Sequence, residues 1–283
     1  MKRADKKRKI RPVTVILYIL AIALLVVQFY PICWIVMTSF KTMDETRMGN
    51  PFSLPKSLNI DNYIEAIKTS NLGTYYWNSI IVVGITLVLL VIFSSCAGFA
   101  IEKLRSRLSK PIMAYFLFGI TIPIHVTLIP LFQIYRYMGI LNTHIALILP
   151  QVGFNMAMSI YLFTALYRFI PNAMLESAVI EGASIWQAFL KVILPMSKNT
   201  IMTVSTMNMI FTWNEFIFAN TFISKASLKT IPIGLYDYVG QKGLVNWGAT
   251  FSAISLFLIP LLLVYFILNK GIIAGMTAGA IKE

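Results

Sequence analysis

Long apolar stretches alternate with short polar ones along this chain. The first runs from Val13 to about Phe40, and others cover about 76–101, 113–135, 145–167, 200–222 and 250–269. Each is 20–28 residues long, enough for a helix rising 1.5 Å per residue to cross a hydrocarbon core of ~30 Å. None shows the ten-residue alternation of a membrane barrel strand, and long apolar runs without water close their hydrogen bonds best as helices. The pattern predicts an all-α polytopic membrane protein with six transmembrane helices. A basic N-terminus (1–12) precedes a six-helix transmembrane region (13–269), which contains a polar loop at 168–199. A tail (270–283) follows.

Composition sharpens this picture. Hydrophobic residues make up 58% of the chain and charged residues 12%, against ~25% charged in a soluble domain. The net charge of +13 would suggest nucleic acid in a soluble protein. Here it reads as the excess of Lys and Arg on the inner side of a membrane, so no nucleic-acid partner is expected. With the N-terminus inside, inner segments carry 16 Lys and Arg and outer segments 8, which predicts both termini in the cytoplasm. The first run is too long for the core of a signal peptide, and no small-residue cleavage site follows it.

Several chemistries find no support. Cys33, Cys96, His125 and His144 are isolated, so neither a metal site nor a redox pair is expected. Cys33 is placed near the outer end of the first span and Cys96 near the inner end of the second, so no disulfide joins them. No phosphate-cradling G-x-x-x-x-G-K-[ST] occurs, and no catalytic set stands out. Only 11 acidic residues exist, and few lie in spans. A proton-coupled pump usually needs several. Energy for uphill transport would come from another chain. Prolines 31, 123, 130, 150 and 260 interrupt spans and invite kinks.

The loop at 168–199 carries the sharpest local signals. Pro171 suits the first position of a helix. Leu175, Ala178, Val179 and Gly182 share one helical face, and Gly182 ends the helix. Ser184 and Gln187 form a capping box that starts a second helix running towards Pro195. Small Ala178 and Gly182 would let a partner approach the backbone.

These residues resemble a known loop. Glu176, Ser177 and Ala178, then Glu181 and Gly182, then Val192, Ile193, Leu194 and Pro195 follow the E-A-A-x3-G-x9-I-x-L-P pattern of binding-protein-dependent ABC importer permeases. Ser177 replaces Ala and Val192 replaces Ile, both conservative in size. Asn78-Ser79, Trp213-Asn214-Glu215-Phe216, Ile231-Pro232-Ile233-Gly234-Leu235 and the tail from Gly275 through Gly279 to Lys282 are similar to the second membrane subunit of the maltose-type carbohydrate transporters.

The resemblance implies a type I ABC importer permease fold in a bacterial cell membrane, and no enzyme activity on this chain. It implies a heterodimer with a second permease, two cytoplasmic ATPase subunits and an extracytoplasmic solute-binding protein. ATP and Mg would sit on the ATPases, with no cofactor on this chain. Helix 172–182 would be the coupling helix, with Glu176, Ser177, Ala178, Glu181, Gly182, Leu194 and Pro195 as coupling residues. Gly275 and Gly279 would fit the tail against the ATPases. Trp213, Asn214 and Glu215 are candidates for the sugar pathway, although a structural role for Glu215 outranks direct binding. Two rival readings stay open: an importer of the same fold for another solute, such as a phosphorylated polyol, and a self-sufficient channel or secondary transporter.

Overall fold

All six apolar runs are mainly helical, and two of them are broken. The computed structural model describes residues 12–69, 71–236 and 246–280. In chain order the helices are α1 (Pro12–Ser39), α2 (Met43–Arg47), α3 (Asp61–Thr69), α4 (Leu72–Phe99), α5 (Ser109–Ile120), α6 (Ile124–Tyr137) and α7 (Ile145–Tyr167). Then come α8 (Asn172–Ile180), α9 (Ile185–Ala188), α10 (Leu194–Met196), α11 (Lys198–Trp213), α12 (Ile217–Phe222), α13 (Ile231–Tyr236) and α14 (Trp247–Ala280). Wider π-helical turns occupy Ala100–Leu104 and Phe189–Ile193. Among the described residues there is no strand.

Among the described residues, four helical stretches are long and apolar enough to cross a membrane: Pro12–Ser39, Leu72–Leu104, Ile145–Tyr167 and Trp247–Val264. The expected third span is two helices, α5 and α6, bent by 93°. It counts as a fifth span if the pair is taken together. The break falls at 121–123, where Pro123 lies extended at the N-cap of α6 and its ring disfavours the helical conformation in Ile122 before it. The expected fifth span is also divided, into α11 and α12, at Asn214–Phe216. The protein is a multi-pass membrane protein.

The chain divides into two compact units. One comprises residues 1–69 and 242–256. Its α1 carries no buried residue before Thr38, so its apolar surface suits lipid or another apolar chain. Polar bonds gather at the end of α1. The Asn62 amide donates to the Ser39 and Lys41 carbonyls at 2.8 Å each, and the Ser252 hydroxyl donates to Ser39 O at 3.2 Å. Thr42 and Glu45 then form a reciprocal capping box on α2. The segment 1–11 lies outside the described residues.

The other unit comprises residues 70–241 and 257–283. Its centre is the packing of α4 on α7. A Cβ at Gly98 would stand 2.7 Å from Phe163 Cβ and 3.1 Å from the Thr164 nitrogen. The missing side chain therefore permits close helix approach, as small residues do between membrane helices. Asn208 on α11 is fully buried. It donates to Ser159 Oγ on α7 at 2.9 Å and to Val204 O at 2.8 Å, a polar tie between spans. An apolar cluster built on Phe99, Phe163, Tyr167 and Phe189 closes the end of the unit next to α8.

Candidate functional site

The loop between α7 and α11 is a rigid two-helix projection. Pro171 is the N-cap of α8 and not its first helical residue, with ψ at 137°. The helix begins at Asn172, so the start moves by one residue and Pro171 turns the chain into it. Leu175 is buried, and half-buried Ala178 packs against the same apolar cluster. The face chosen from the sequence is thus divided. Leu175 and Ala178 fasten α8 to the bundle, whereas Val179 and Gly182 are exposed. Ala178 is small because it faces its own protein.

Gly182 ends α8 in the predicted way. Its φ of +91° lies in the left-handed region that a Cβ disfavours. The Gly182 N–H donates to Val179 O at 3.0 Å, and the Ala183 N–H donates to Ala178 O at 2.9 Å. These two bonds are the Schellman pair, which satisfies carbonyls orphaned at a helix end. Glu176, Ser177, Ile180 and Glu181 are left exposed on the outer side. The expected capping box follows. Ser184 Oγ accepts from Gln187 N at 3.2 Å, and Gln187 Oε1 accepts from Ser184 N at 2.9 Å. The chain then widens into the 189–193 π turn. That turn keeps it helical up to Pro195, which has no N–H to donate. Leu194 is half-buried against the apolar cluster, and Pro195 is exposed.

One anchor was missed. Lys103, in the π turn after α4, is buried. Its ammonium donates to the Ile170 carbonyl, and to Asn172 Oδ1 at 3.0 Å. It holds the base of α8 from 69 residues away. Beside it, Glu102 pairs with Arg105 at 2.9 Å and with Arg168, the C-cap of α7, at 3.7 Å. Sequence reasoning counted Lys103, Arg105 and Arg168 only as inner charges and gave Glu102 no part. The available signal was a Glu-Lys pair closing an apolar run, opposite a loop that needs its first carbonyls satisfied.

The other candidates are spread out. Trp213 is buried, with its ring 6.0 Å from Phe257 and 6.1 Å from Tyr76. Asn214 is exposed but donates back to Ile210 O at 2.7 Å. Glu215 caps the broken span: Oε1 accepts from Phe218 N at 2.6 Å and Oε2 from Ala219 N at 3.1 Å. It therefore satisfies donors at the start of α12 that the break would orphan. Gly275 and Gly279 lie in α14, which continues helical to Ala280. Nothing of their surroundings is described, and residues 281–283 lie outside the described residues.

A second constellation ties α4 to the segment 222–235. The Asn78 amide nitrogen donates to the Ser227 carbonyl at 2.9 Å and to the Lys229 carbonyl at 3.0 Å. The Asn78 oxygen lies 3.0 Å from His144 Nε2. Ser79 Oγ accepts from Ile231 N at 3.0 Å. These bonds give the Asn78-Ser79 pair a structural purpose. A Cβ on Gly234 would fall 2.1 Å from the Tyr75 ring, so the glycine in Ile231-Pro232-Ile233-Gly234-Leu235 makes room for an aromatic side chain.

The described residues thus form an all-α, multi-pass membrane protein with an exposed loop helix closed by a Schellman pair. Residues 94–277 match the family described as binding-protein-dependent transport system inner membrane component, and the chain belongs to that family. It is 30% identical to the diacetylchitobiose uptake system permease protein NgcG of Streptomyces coelicolor, over 91% of this chain and 85% of that one. It is also 30% identical to the trehalose/maltose transport system permease protein MalG of Thermococcus litoralis, over 95% and 96% of the two chains. Among solved structures, it matches a chain of a bacterial ABC transporter involved in the import of the acidic polysaccharide alginate. The TM-score is 0.81 at 20% identity, covering 90% of this chain and 95% of that one. This last likeness shows a shared fold.

Proposed function

We propose that this chain is one of two related permease subunits in an ATP-driven importer of a sugar or oligosaccharide. It lines half of the pathway and couples to separate ATPase subunits through α8. The relatives named for diacetylchitobiose and for trehalose/maltose support the solute class. An extracytoplasmic binding protein delivers the solute, and ATP and Mg reside on the ATPases. The observation that carries the coupling role is the build of α8. It is fixed at its base by Lys103 and at its end by a Schellman pair, and it presents Glu176, Ser177 and Glu181 outward. A lever must be stiff to transmit a push, and both ends of this one are tied.

Gly182→Asp tests the reading. The positive φ costs a residue with a Cβ roughly 1–2 kcal/mol, and nothing lies within 4 Å of the would-be Cβ. The damage is therefore to the helix end and the docking face, with no clash in the core. The variant should insert and assemble with its partner permease. Solute uptake should fall while the ATPases either dissociate or turn over uncoupled. Normal uptake with normal ATP turnover would refute the coupling role.

A further inference from the structure

A cleft of about 890 Å³ opens where α4, α5 and α7 end on the side of α8. Four cations line it: Arg105, Arg107, Lys110 and Arg168. Glu102 engages Arg105 and Arg168. Among the described residues no carboxylate pairs with Arg107 or Lys110, and both are exposed. Below the cations the lining turns apolar, with Met113 and Leu117 on α5 and Tyr161 on α7. Leu117 lies seven residues beyond Lys110, so the apolar wall descends ~10 Å along the helix. Thr164 also lines the cleft. It is 6% exposed, and its hydroxyl has no partner.

We infer that this cleft binds the headgroup and upper acyl chain of one anionic phospholipid. Each part of the site answers a part of that ligand. The unpaired Arg107 and Lys110 face a phosphate, and the α5–α7 wall takes hydrocarbon. A soluble anion would use only the rim and leave the apolar depth wet. A zwitterionic lipid would leave the cation excess uncompensated. Basic pockets between membrane helices on the cytoplasmic side select anionic headgroups by this logic. The leaflet follows from the orientation proposed for the chain, but the site does not depend on it. Because Glu102 lines the cleft and its neighbour Lys103 holds the base of α8, a lipid seated here would brace the loop.

The test is native mass spectrometry of the full chain, purified with the subunits that accompany it. It is delipidated, then offered phosphatidylglycerol, phosphatidylcholine or inorganic phosphate. One phosphatidylglycerol should bind in preference to phosphatidylcholine, and phosphate should not displace it. Removing two cations near the membrane surface, as Arg107→Gln with Lys110→Gln, should weaken that preference by about ten-fold or more. Ala114→Trp, which fills the cleft and touches no charge, should abolish the tight binding. This second variant keeps the test decisive if the first fails to fold. Equal phosphatidylglycerol binding by wild type and both variants would overturn the proposal. So would competition by phosphate alone, or protection of Lys110 from amine labelling by an accompanying subunit in lipid-free protein.

Discussion

Among the described residues, two other than glycine adopt a positive φ, Arg105 at 47° and Asn142 at 57°. Each is held there by what its own side chain binds. Arg105 donates to both the carbonyl and the carboxylate of Glu102. Asn142 Oδ1 accepts from Ser224 N at 2.6 Å and Lys225 N at 2.9 Å, while its N–H donates to Phe222 O at 3.1 Å. Asn142→Ala removes three accepted bonds, from Ser224 N, Ser224 Oγ and Lys225 N, and leaves a Cβ residue in the left-handed region. At ~1 kcal/mol per bond plus ~1 for the backbone, a loss of about 3–5 kcal/mol is expected. Asn142→Gly should recover only the backbone part. Thermal unfolding of the detergent-solubilised variants measures the difference, and equal losses would place the whole effect in the hydrogen bonds. Glu45 gives a pH signature. Backbone N–H groups of Thr42 and then Lys56 donate to its carboxylate and hold its pKa below the ordinary value. A lowered folded-state pKa means stability present at neutral pH and lost as pH falls through the folded value, which lies below the ordinary carboxylate range. Amide exchange at Lys56 should therefore accelerate only in acid, and Glu45→Gln should show that faster exchange already at pH 7.

At the scale of elements, the packing of α13 on α4 rests on one missing methyl group. Gly234→Ala forces the Tyr75 ring to move, at a cost of about 1–3 kcal/mol for overpacking. Tyr75→Leu in the same chain should restore part of it. A double-mutant cycle reads the coupling, and strictly additive losses would show that the two residues do not meet. Local features of this kind were legible in the sequence to very different degrees. The run 145–167 coincides with α7, and the first run differs from α1 by one residue at each end, because apolar length reports the lipid phase directly. The Gly182 stop and the Ser184–Gln187 box were legible because capping is chemistry between near neighbours. The breaks at 121–123 and 214–216 were not, because an apolar run records its solvent and carries no record of backbone direction. Lys103 was hidden for another reason: its partners lie 67 and 69 residues away, and only the α4–α7 contact brings them together. Ala178 was read as a docking surface because smallness serves internal and external contacts equally.

The whole molecule poses a question of direction: on which side of the membrane does α8 project? The Lys and Arg split of 16 to 8 predicts that α8 lies in the cytoplasm, the side expected to carry the excess of positive charge. The fold makes this assignment testable at single positions. Ile180 on α8 is 85% exposed and Ile60 is 60% exposed, so a cysteine at either site would be reachable from its own side. With Cys33 and Cys96 replaced, Ile60→Cys should react with a membrane-impermeant maleimide in intact cells. Ile180→Cys should react only after the membrane is opened. The two positions are separated by α4, the bent α5–α6 pair and α7. If each of these three crosses once, Ile60 and Ile180 must lie on opposite sides. If the 93° bend instead makes α5–α6 a re-entrant loop, only two crossings remain, and both positions label from the same side. The assay therefore decides between a crossing and a returning third segment as well as the orientation. Labelling of Ile180→Cys from outside intact cells would remove α8 from the reach of any cytoplasmic ATPase, and the coupling role proposed for it would fall with it.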